Sequence, residues 1–546
     1  MTGSTQTNWD LSSLFDSMDD PRIERTLVEQ LDRAEEFAKK FRGRINCPDL
    51  EARTLLEAIR EFESIQQEAS KPSYFASLLF AADTNDPARG AFMQKIHERA
   101  TEISIRLIFF ELELLEAPEE VIAPLLDDPR LAGYAHFVRS TRLFREHHLS
   151  EPEERILEEK ANTGSRAFAR LFEETVSNIP FTMSRDGETV VLTEPEVLAL
   201  LRDPDREVRR AAAASLTEGL KANSRTLTFI FNTLVQDKAV NDRLRRFGFP
   251  EQSRHLSNEL DRETVELVVS IAEENYDIVA RYYHLKRQLL GYDKLTHYDR
   301  YAPLFETRKE VPFERAKEIV LTSFESFSET LGGRAAEFFD KNWIDAEVRP
   351  GKRGGAFCSY ITPDLHPYVF LSYLNRMDDV MTLGHELGHG AHASLSREQT
   401  YLNFHGTLPL AELASTFGEM LVFDALVREA DLDDKVALYA EKIEGVFATV
   451  FRQAAMYRFE QDLHKARRES GEQTTEQIGE IWQRRIQEMF GDSLELGEEH
   501  TLWWQYVSHF VEAPFYVYAY SFGELLVMAL YARREREGND FARKYI

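Results

Sequence analysis

The sequence predicts a mainly α-helical protein of more than one lobe, with a small β-sheet immediately before a His-Glu motif. Three observations lead to this prediction. Helical periodicity covers most of the chain, the 546 residues exceed what one hydrophobic core usually supports, and two segments, 181–192 and 349–373, interrupt the helical pattern. With 43% apolar and 29% charged residues, the composition is that of an ordinary globular protein.

Six segments of the chain predict helices, because their apolar residues recur at i, i+3 and i+4 among charged residues. These segments are residues 22–41, 51–68, 88–116, 151–177, 260–290 and 435–470. Acid–proline pairs, with proline in the first turn, indicate where helices begin. The pairs are Asp20-Pro21, Asp86-Pro87, Asp128-Pro129, Glu151-Pro152, Glu194-Pro195 and Asp203-Pro204.

The two interruptions predict strands. Residues 181–192 are typical of a β-hairpin that turns at Asp186-Gly187, and this hairpin separates an N-terminal helical lobe, 1–190, from a second lobe, 191–546. Residues 349–373 contain three glycines followed by two short strand-like runs. The edge of such a sheet can hold an extended peptide through main-chain hydrogen bonds. A structural hairpin that only packs on the next helix fits the sequence equally well.

Charge and cysteine content exclude several classes of protein. The formal charge of −28 repels phosphate backbones and anionic membranes, so we expect no nucleic-acid partner and no membrane partner. The N-terminus lacks the basic and apolar regions of a signal peptide, and no apolar run approaches the ~20 residues that span a bilayer. Cys47 and Cys358 lie far apart in sequence, which excludes a disulfide scaffold. We therefore expect a cytoplasmic protein.

Residues 385–389, His-Glu-Leu-Gly-His, are the strongest chemical signal in the chain. On a helix capped by Asp378 or Asp379, both imidazoles share one face, so they can bind zinc while Glu386 serves as general base. A known longer form of the motif has a glycine three residues after the second histidine and a third histidine three residues beyond that. This chain has His392 and Leu395 at those positions, so that form is absent.

A glutamate from a second helix is the remaining common third ligand. Glu412 follows His389 by 23 residues and lies among apolar residues, where an unpaired carboxylate is costly. Glu419, two turns further along the same face, is a candidate for orienting a ligand histidine or for a structural role. For His392 we expect helix packing or a hydrogen bond to a ligand rather than coordination.

Taken together, these residues resemble the M3 family of zinc metallopeptidases, and within it the oligoendopeptidase F group. The resemblance covers nearly the whole chain and is much more specific than the His-Glu motif alone. It is carried by residues 9–15, 298–304, 366–369, 385–389, 411–419, 509–510 and 514–520.

The resemblance implies a two-lobed helical metallopeptidase with a deep central channel and a small β-sheet near the zinc site, cleaving short peptides. It places one zinc ion at His385, His389 and Glu412, and the base at Glu386. It also aligns His509 and Tyr516 with catalytic groups that face the substrate carbonyl. Further candidates for substrate contact are His366, Tyr518 and Tyr520. Because the chain stops somewhat before the family's usual end, we expect the second lobe to lack its extreme C-terminal helices.

We therefore expect a zinc endopeptidase in which Glu386 takes a proton from the attacking water and passes it to the leaving amine. Two alternatives stay open. A zinc carboxypeptidase of helical fold needs a cation for the substrate's terminal carboxylate, and Arg353 and Arg376 flank the motif. A catalytically silent peptide-binding protein on the same fold is expected to lack a ligand or the base, whereas this chain keeps all four residues.

Overall fold

The computed structural model describes residues 8–185, 187–304, 310–349 and 351–546. Helices dominate it, as predicted. In chain order they are α1 (Pro21–Phe41), α2 (Ala52–Ala82), α3 (Pro87–Glu116), α4 (Glu119–Leu126), α5 (Ala135–Arg142), α6 (Glu151–Ala161), α7 (Ser165–Ser177), α8 (Glu194–Leu200), α9 (Arg206–Leu244), α10 (Gln252–Ser257), α11 (Arg262–Glu274), α12 (Tyr276–Leu290), α13 (Phe313–Phe327), α14 (Glu329–Asp340), α15 (Met377–Ser396), α16 (Tyr401–Phe404), α17 (Leu408–Glu429), α18 (Leu432–Val446), α19 (Gln453–Ser470), α20 (Thr475–Phe490), α21 (His509–Glu512), α22 (Tyr518–Glu537) and α23 (Asn539–Tyr545). A π-helical turn, Phe447–Arg452, joins α18 to α19, and 3-10 turns occupy Pro129–Tyr134, Arg145–His147, His297–Asp299 and Glu498–Tyr506.

Five of the six acid–proline pairs lie where a helix begins, counting the 3-10 turn that starts at Pro129. Asp20 and Asp86 accept hydrogen bonds from backbone N–H groups of the first turns of α1 and α3, as N-cap residues do. The pair Asp203-Pro204 is an error, because α9 begins two residues later. There Asp205 is the N-cap, and its carboxylate accepts from the N–H of Glu207.

Both predicted interruptions contain strands. β1 (Phe181–Arg185) and β2 (Glu188–Leu192) pair antiparallel, and Asp186 of the predicted turn lies outside the described residues. In the second sheet, the two predicted strands are β4 (Phe357–Ser359) and β5 (Tyr368–Phe370), which pair antiparallel. The sequence missed β3 (Ile344–Asp345), which pairs parallel with the other side of β5. The sheet order β3-β5-β4 therefore leaves β4 at an edge.

The chain forms two compact units, each built from separated segments. The first comprises the described residues of Met1–Lys160, Lys309–Arg428 and Ala529–Ile546, and the second those of Ala161–Arg308 and Glu429–Met528. The sequence divides the chain only once, at residue 190, and this does not coincide with a unit boundary. As a division between lobes of different function, residue 190 stays a prediction.

An aromatic cluster fills part of the first unit. Phe37 on α1 is fully buried and lies 5.5 Å from both Phe109 and Phe110 on α3, measured between ring centroids. Phe62 on α2 lies 4.7 Å from Phe110. These contacts hold the first three helices together, since buried aromatic pairs add directional packing to the area they remove from water.

The second unit is organised around the long helix α9. Phe231 on this helix stacks on Trp504, with ring centroids 5.2 Å apart, and faces Phe510 at 6.1 Å. Phe459 on α19 closes the cluster, 5.0 Å from Phe510. In the described part of the chain, no helix is long and apolar enough to span a bilayer.

Candidate metal centre

Helix α15 carries the His-Glu motif, and Asp379 fixes its beginning. The carboxylate of Asp379 accepts hydrogen bonds from the N–H groups of Leu374 and Arg376 and pairs with the Arg376 guanidinium at 3.1 Å. The helix runs from Met377 to Ser396, with Arg376 as its N-cap and both predicted capping aspartates in its first turn. It packs on β4 and β5, so the sheet supports the helix from one side.

Glycines let α15 and α17 approach each other very closely. A Cβ atom at Gly388 would lie 2.7 Å from the carbonyl oxygen of Ala414 and 2.8 Å from Cα of Ser415, both on α17. One at Gly418 would lie 2.9 Å from the carbonyl oxygen of Gly384. Only residues without a side chain fit at this crossing. The contact sets the first turns of α17 against the motif on α15.

This crossing brings three metal-binding side chains together. Nε2 of His385 and Nε2 of His389 lie 3.6 and 3.9 Å from Oε2 of Glu412, and the three donor atoms lie within 4.8 Å of one another. Donors bound to one tetrahedral zinc ion are roughly 3.4 Å apart, given bonds of about 2.1 Å. The donor set therefore fits a metal ion after a small inward movement.

Neighbouring side chains hold two of the donors in place. Nδ1 of His385 lies 3.3 Å from Oε2 of Glu419, which leaves Nε2 directed at Glu412. Glu412 is buried, and the Ser415 hydroxyl donates to its backbone carbonyl at 2.9 Å and to its carboxylate at 3.3 Å. A carboxylate behind a ligand histidine is the common way to orient such a ring.

The protonation states of the cluster follow from burial and charge. Burial raises the pKa of Glu386 to about 7, with His385 and Glu412 acting in opposite directions on it. Burial and the positive charge of His385 lower the pKa of His389 to about 3, so this ring is neutral and can coordinate a metal. Burial opposes protonation of His385, yet its hydrogen bonds to Glu412 and Glu419 hold its pKa well above the usual range.

Two buried polar atoms at the cluster have no hydrogen-bond partner among the described residues. They are Oε2 of Glu386 and Nδ1 of His389. Buried polar groups are nearly always hydrogen-bonded, so orphaned atoms beside a donor set indicate a binding site that takes a ligand or a water. The chemistry of the residues thus fits a metal ion with an adjacent base.

Sequence reasoning missed Tyr360, which lies directly after β4. Its ring centroid lies 6.5 Å from that of His389, and its hydroxyl lies 3.3 Å from Nδ1 of His392. The ring also stacks on His405 at 6.0 Å. His392 thus faces Tyr360 and is not one of the three clustered donors. The one sequence signal for Tyr360 is its position at the end of a predicted strand shortly before the His-Glu motif.

His366 has a different environment. Its ring stacks on Trp343 with centroids 3.8 Å apart, and Nε2 lies 3.0 Å from the Ser13 hydroxyl. Burial lowers its pKa to about 4, so it stays neutral. The structure thus places His366 against the N-terminal segment, and substrate contact through it stays a prediction.

The remaining candidates belong to the second unit and form a cluster of their own. Nε2 of His509 lies 2.9 Å from the Tyr520 hydroxyl, and the His509 ring stacks on Tyr516 at 5.7 Å. Tyr518 is fully buried, and its hydroxyl accepts from the Asn258 amide at 2.8 Å. Of the three tyrosines, Tyr516 and Tyr520 therefore accompany His509, whereas Tyr518 belongs to the core.

Comparison with known proteins places this chain among peptidases. The sequence model of Peptidase family M3 matches residues 199–545, and a model described as Oligopeptidase F matches residues 113–181. Group B oligopeptidase PepB of Streptococcus agalactiae is 27% identical over 524 residues, 94% of this chain and 85% of that protein. Oligopeptidase PepF of Bacillus subtilis is 26% identical over 506 residues, 90% of this chain and 74% of that protein. The crystal structure of oligoendopeptidase-F from Enterococcus faecium superposes with a TM-score of 0.73 at 22% identity, covering 97% of this chain and 90% of that one.

The close helix crossing generates the first test, the substitution Gly388→Ala. Its methyl group meets α17 backbone that has no room to yield, so we expect a loss of about 1–3 kcal/mol of stability and weaker metal binding. Thermal unfolding and metal content per chain measure both. Gly333→Ala on α14, where the new Cβ meets nothing within 4 Å, is the control and should be neutral or slightly stabilising. Unchanged metal content and stability in Gly388→Ala would contradict the role assigned to the crossing.

Proposed function

Because the chain belongs to peptidase family M3, we propose that one zinc ion held by His385, His389 and Glu412 enables it to hydrolyse internal bonds of short peptides. Membership of the family makes the chain a peptidase. The observation that carries the assignment of the zinc site is the cluster of three donor atoms within 4.8 Å of one another. Two imidazoles and one carboxylate leave a fourth position open, as catalytic zinc sites do.

Glu386 is the proposed general base. It follows the first ligand on α15, is buried, and has a pKa of about 7. A carboxylate with that pKa accepts a proton from the attacking water and returns it to the leaving amine near neutral pH. A bound zinc ion supplies Lewis acidity to the scissile carbonyl and to the water. Glu419 and Ser415 act indirectly, because they orient His385 and Glu412.

His509 and Tyr516 are the proposed donors to the oxygen that becomes negative when the carbonyl is attacked. Their rings stack in parallel, and Tyr520 holds Nε2 of His509. A phenol and an imidazole can both donate a hydrogen bond to an oxyanion, which lowers the barrier for acyl transfer. The support for this assignment is the shared cluster and the resemblance of residues 509–520.

The partners we propose are short peptides, without nucleic acid or membrane. The net charge of −28 supports this, since it repels polyanions. A cytoplasmic location is proposed because Cys47 and Cys358 are both free thiols. Of the two arginines that a carboxypeptidase could use, Arg376 is paired with Asp379 at the start of α15. The sheet edge at β4 is the proposed place for the backbone of an extended substrate.

The variant Glu386→Gln tests the general base. It keeps all three ligands, so we expect one zinc ion per chain by mass spectrometry while kcat falls at least about 100-fold. His389→Ala should lose both the ion and the activity. Glu398→Gln, the same chemical change at an exposed position just after α15, is the control and should behave like the parent. Substantial activity in zinc-loaded Glu386→Gln would exclude Glu386 as the base.

Tyr516→Phe and Tyr518→Phe form a matched pair that tests the proposed oxyanion donor. Loss of the Tyr516 hydroxyl should lower kcat by about 100-fold or more with little change in KM. Loss of the Tyr518 hydroxyl leaves the Asn258 amide unpaired in the core, so we expect about 1–3 kcal/mol lower stability and nearly normal kcat. The reverse pattern in steady-state kinetics and thermal unfolding would assign the donor role to Tyr518.

A peptide that is acetylated at its N-terminus and amidated at its C-terminus separates endopeptidase from carboxypeptidase activity. An endopeptidase needs neither terminal charge, so we expect internal cleavage at a rate comparable with that of the free peptide. Mass spectrometry of the products locates the bond. Release of single C-terminal residues, and only from the unblocked peptide, would favour the carboxypeptidase.

A further inference from the structure

The second unit contains two arginines, Arg300 and Arg452, that no carboxylate of the described residues neutralises. Arg300 is only 5% exposed, its Nε has no hydrogen-bond partner, and no ion pair joins its guanidinium to another described residue. Arg452, the last residue of the π-helical turn, donates a hydrogen bond to the Tyr301 hydroxyl and has no acidic partner among the described residues. Arg202 also reaches this place, with its guanidinium carbon 5.1 Å from the centroid of the Tyr301 ring.

Other buried cations in this protein are paired with acids. Arg209 pairs with Asp299 at 3.0 Å, and Lys352 pairs with Asp345 at 2.7 Å. Lys286, which is fully buried, pairs with Glu444. Burying a cation without a counter-charge is costly, so a buried guanidinium without an acid is an exception that needs a partner.

Aromatic rings partly shield these cations. The guanidinium carbon of Arg300 lies 4.5 Å from the Tyr301 ring centroid and 5.9 Å from that of Trp503. That of Arg452 lies 5.9 Å from the Tyr301 centroid. Such contacts stabilise a cation by less than the cost of its burial. A negative charge beside these arginines is therefore still required.

We propose that Arg300, Arg452 and Tyr301 form a binding site for a carboxylate group. Guanidinium groups bind planar carboxylates with two parallel hydrogen bonds, and a phenol adds a third donor. The peptides that a peptidase cleaves, and all of its products, end in a carboxylate, as do small organic acids. π-helical turns are rare and often lie at functional sites, and here one places Arg452.

Ionisation of Tyr301 is coupled to this site. Burial alone would raise the pKa of Tyr301, but the positive charges of Arg300, Arg452 and Arg202 outweigh it and bring the pKa to about 7. The phenols of Tyr283 and Tyr506 also act on Arg452. Burial and the charge of Arg300 both lower the pKa of His297 and of His500, so these two rings stay neutral beside the site. Above this pKa the Tyr301 phenolate supplies the missing negative charge. A bound carboxylate replaces it and keeps the phenol protonated.

Coupling of this kind predicts a pH dependence of binding. If a carboxylate binds only while Tyr301 is protonated, its affinity is highest below the pKa of about 7 and falls as the pH rises through it. Between about pH 6 and pH 8 the affinity for acetate should fall about tenfold. In Tyr301→Phe this dependence should be lost.

The experiment uses the full chain, with acetate as the probe and the ultraviolet difference band of tyrosinate as the readout. We expect a band that appears near neutral pH, moves to higher pH with acetate and is missing from Tyr301→Phe. Arg452→Gln should bind acetate at least about tenfold more weakly. Arg210→Gln, which removes the same charge from a surface pair with Glu207, is the control and should bind like the parent. In Tyr301→Phe, which lacks the band, acetate binding is measured as a rise in the thermal unfolding temperature.

Several outcomes decide the proposal. It is overturned if acetate leaves the band unmoved, if Arg210→Gln loses as much affinity as Arg452→Gln, or if phosphate binds and acetate does not. If Arg452→Gln does not fold, the loss of pH dependence in Tyr301→Phe remains decisive. Acetylated dipeptides with a free or an amidated C-terminus then show whether the bound carboxylate comes from a peptide C-terminus or from a small organic acid. Tighter binding of the free form than of acetate identifies peptide termini, and equal binding identifies small acids.

Discussion

The close crossing of α15 and α17 is the constraint on which the metal centre depends. Two imidazoles one turn apart supply two of the three protein donors, and in this chain the third comes from another helix. Ordinary helix pairs lie 8–10 Å apart, whereas glycines at 384, 388 and 418 allow backbone to touch backbone. Glu412 can therefore reach both rings from α17. The close approach of the two backbones is what positions the three donors.

Buried charge is handled in two ways in this protein. Most buried cations have an acid beside them, as Arg209 has Asp299. At two places the charge is left incomplete. The donor cluster on α15 and α17 brings two imidazoles and a carboxylate together and fits a cation. Arg300 and Arg452 have no acidic partner among the described residues, and there we propose an anion. In each case the missing counter-charge indicates a ligand, because an uncompensated buried charge does not stabilise the folded state.

Much of this could be predicted from the sequence, because it depends on local patterns. The span of α15, the starts of α1 and α3 and the strands β4 and β5 follow from periodicity, capping and glycine content. The features that could not be predicted from the sequence depend on packing between residues that are far apart in the chain. The two-residue strand β3 forms only because β5 lies beside it, and Tyr360 matters only because its strand ends beside the motif. The noncontiguous units have the same cause, since segments far apart in sequence pack together.

The position of Tyr516, the proposed oxyanion donor, depends on a buried acid behind the turn that carries it. The preceding residue, Phe515, has a φ of +59°, which is costly for a residue with a side chain by about 1–3 kcal/mol. Its N–H donates to the carboxyl group of Glu460 at 2.7 Å, and the carbonyl of Pro514 accepts from Arg254. Burial raises the pKa of Glu460 to about 8, so the group that holds the turn is mostly uncharged at neutral pH. Tyr516 is thus held beside His509 by a strained turn that a buried acid fixes, just as Glu419 orients His385 within the first unit.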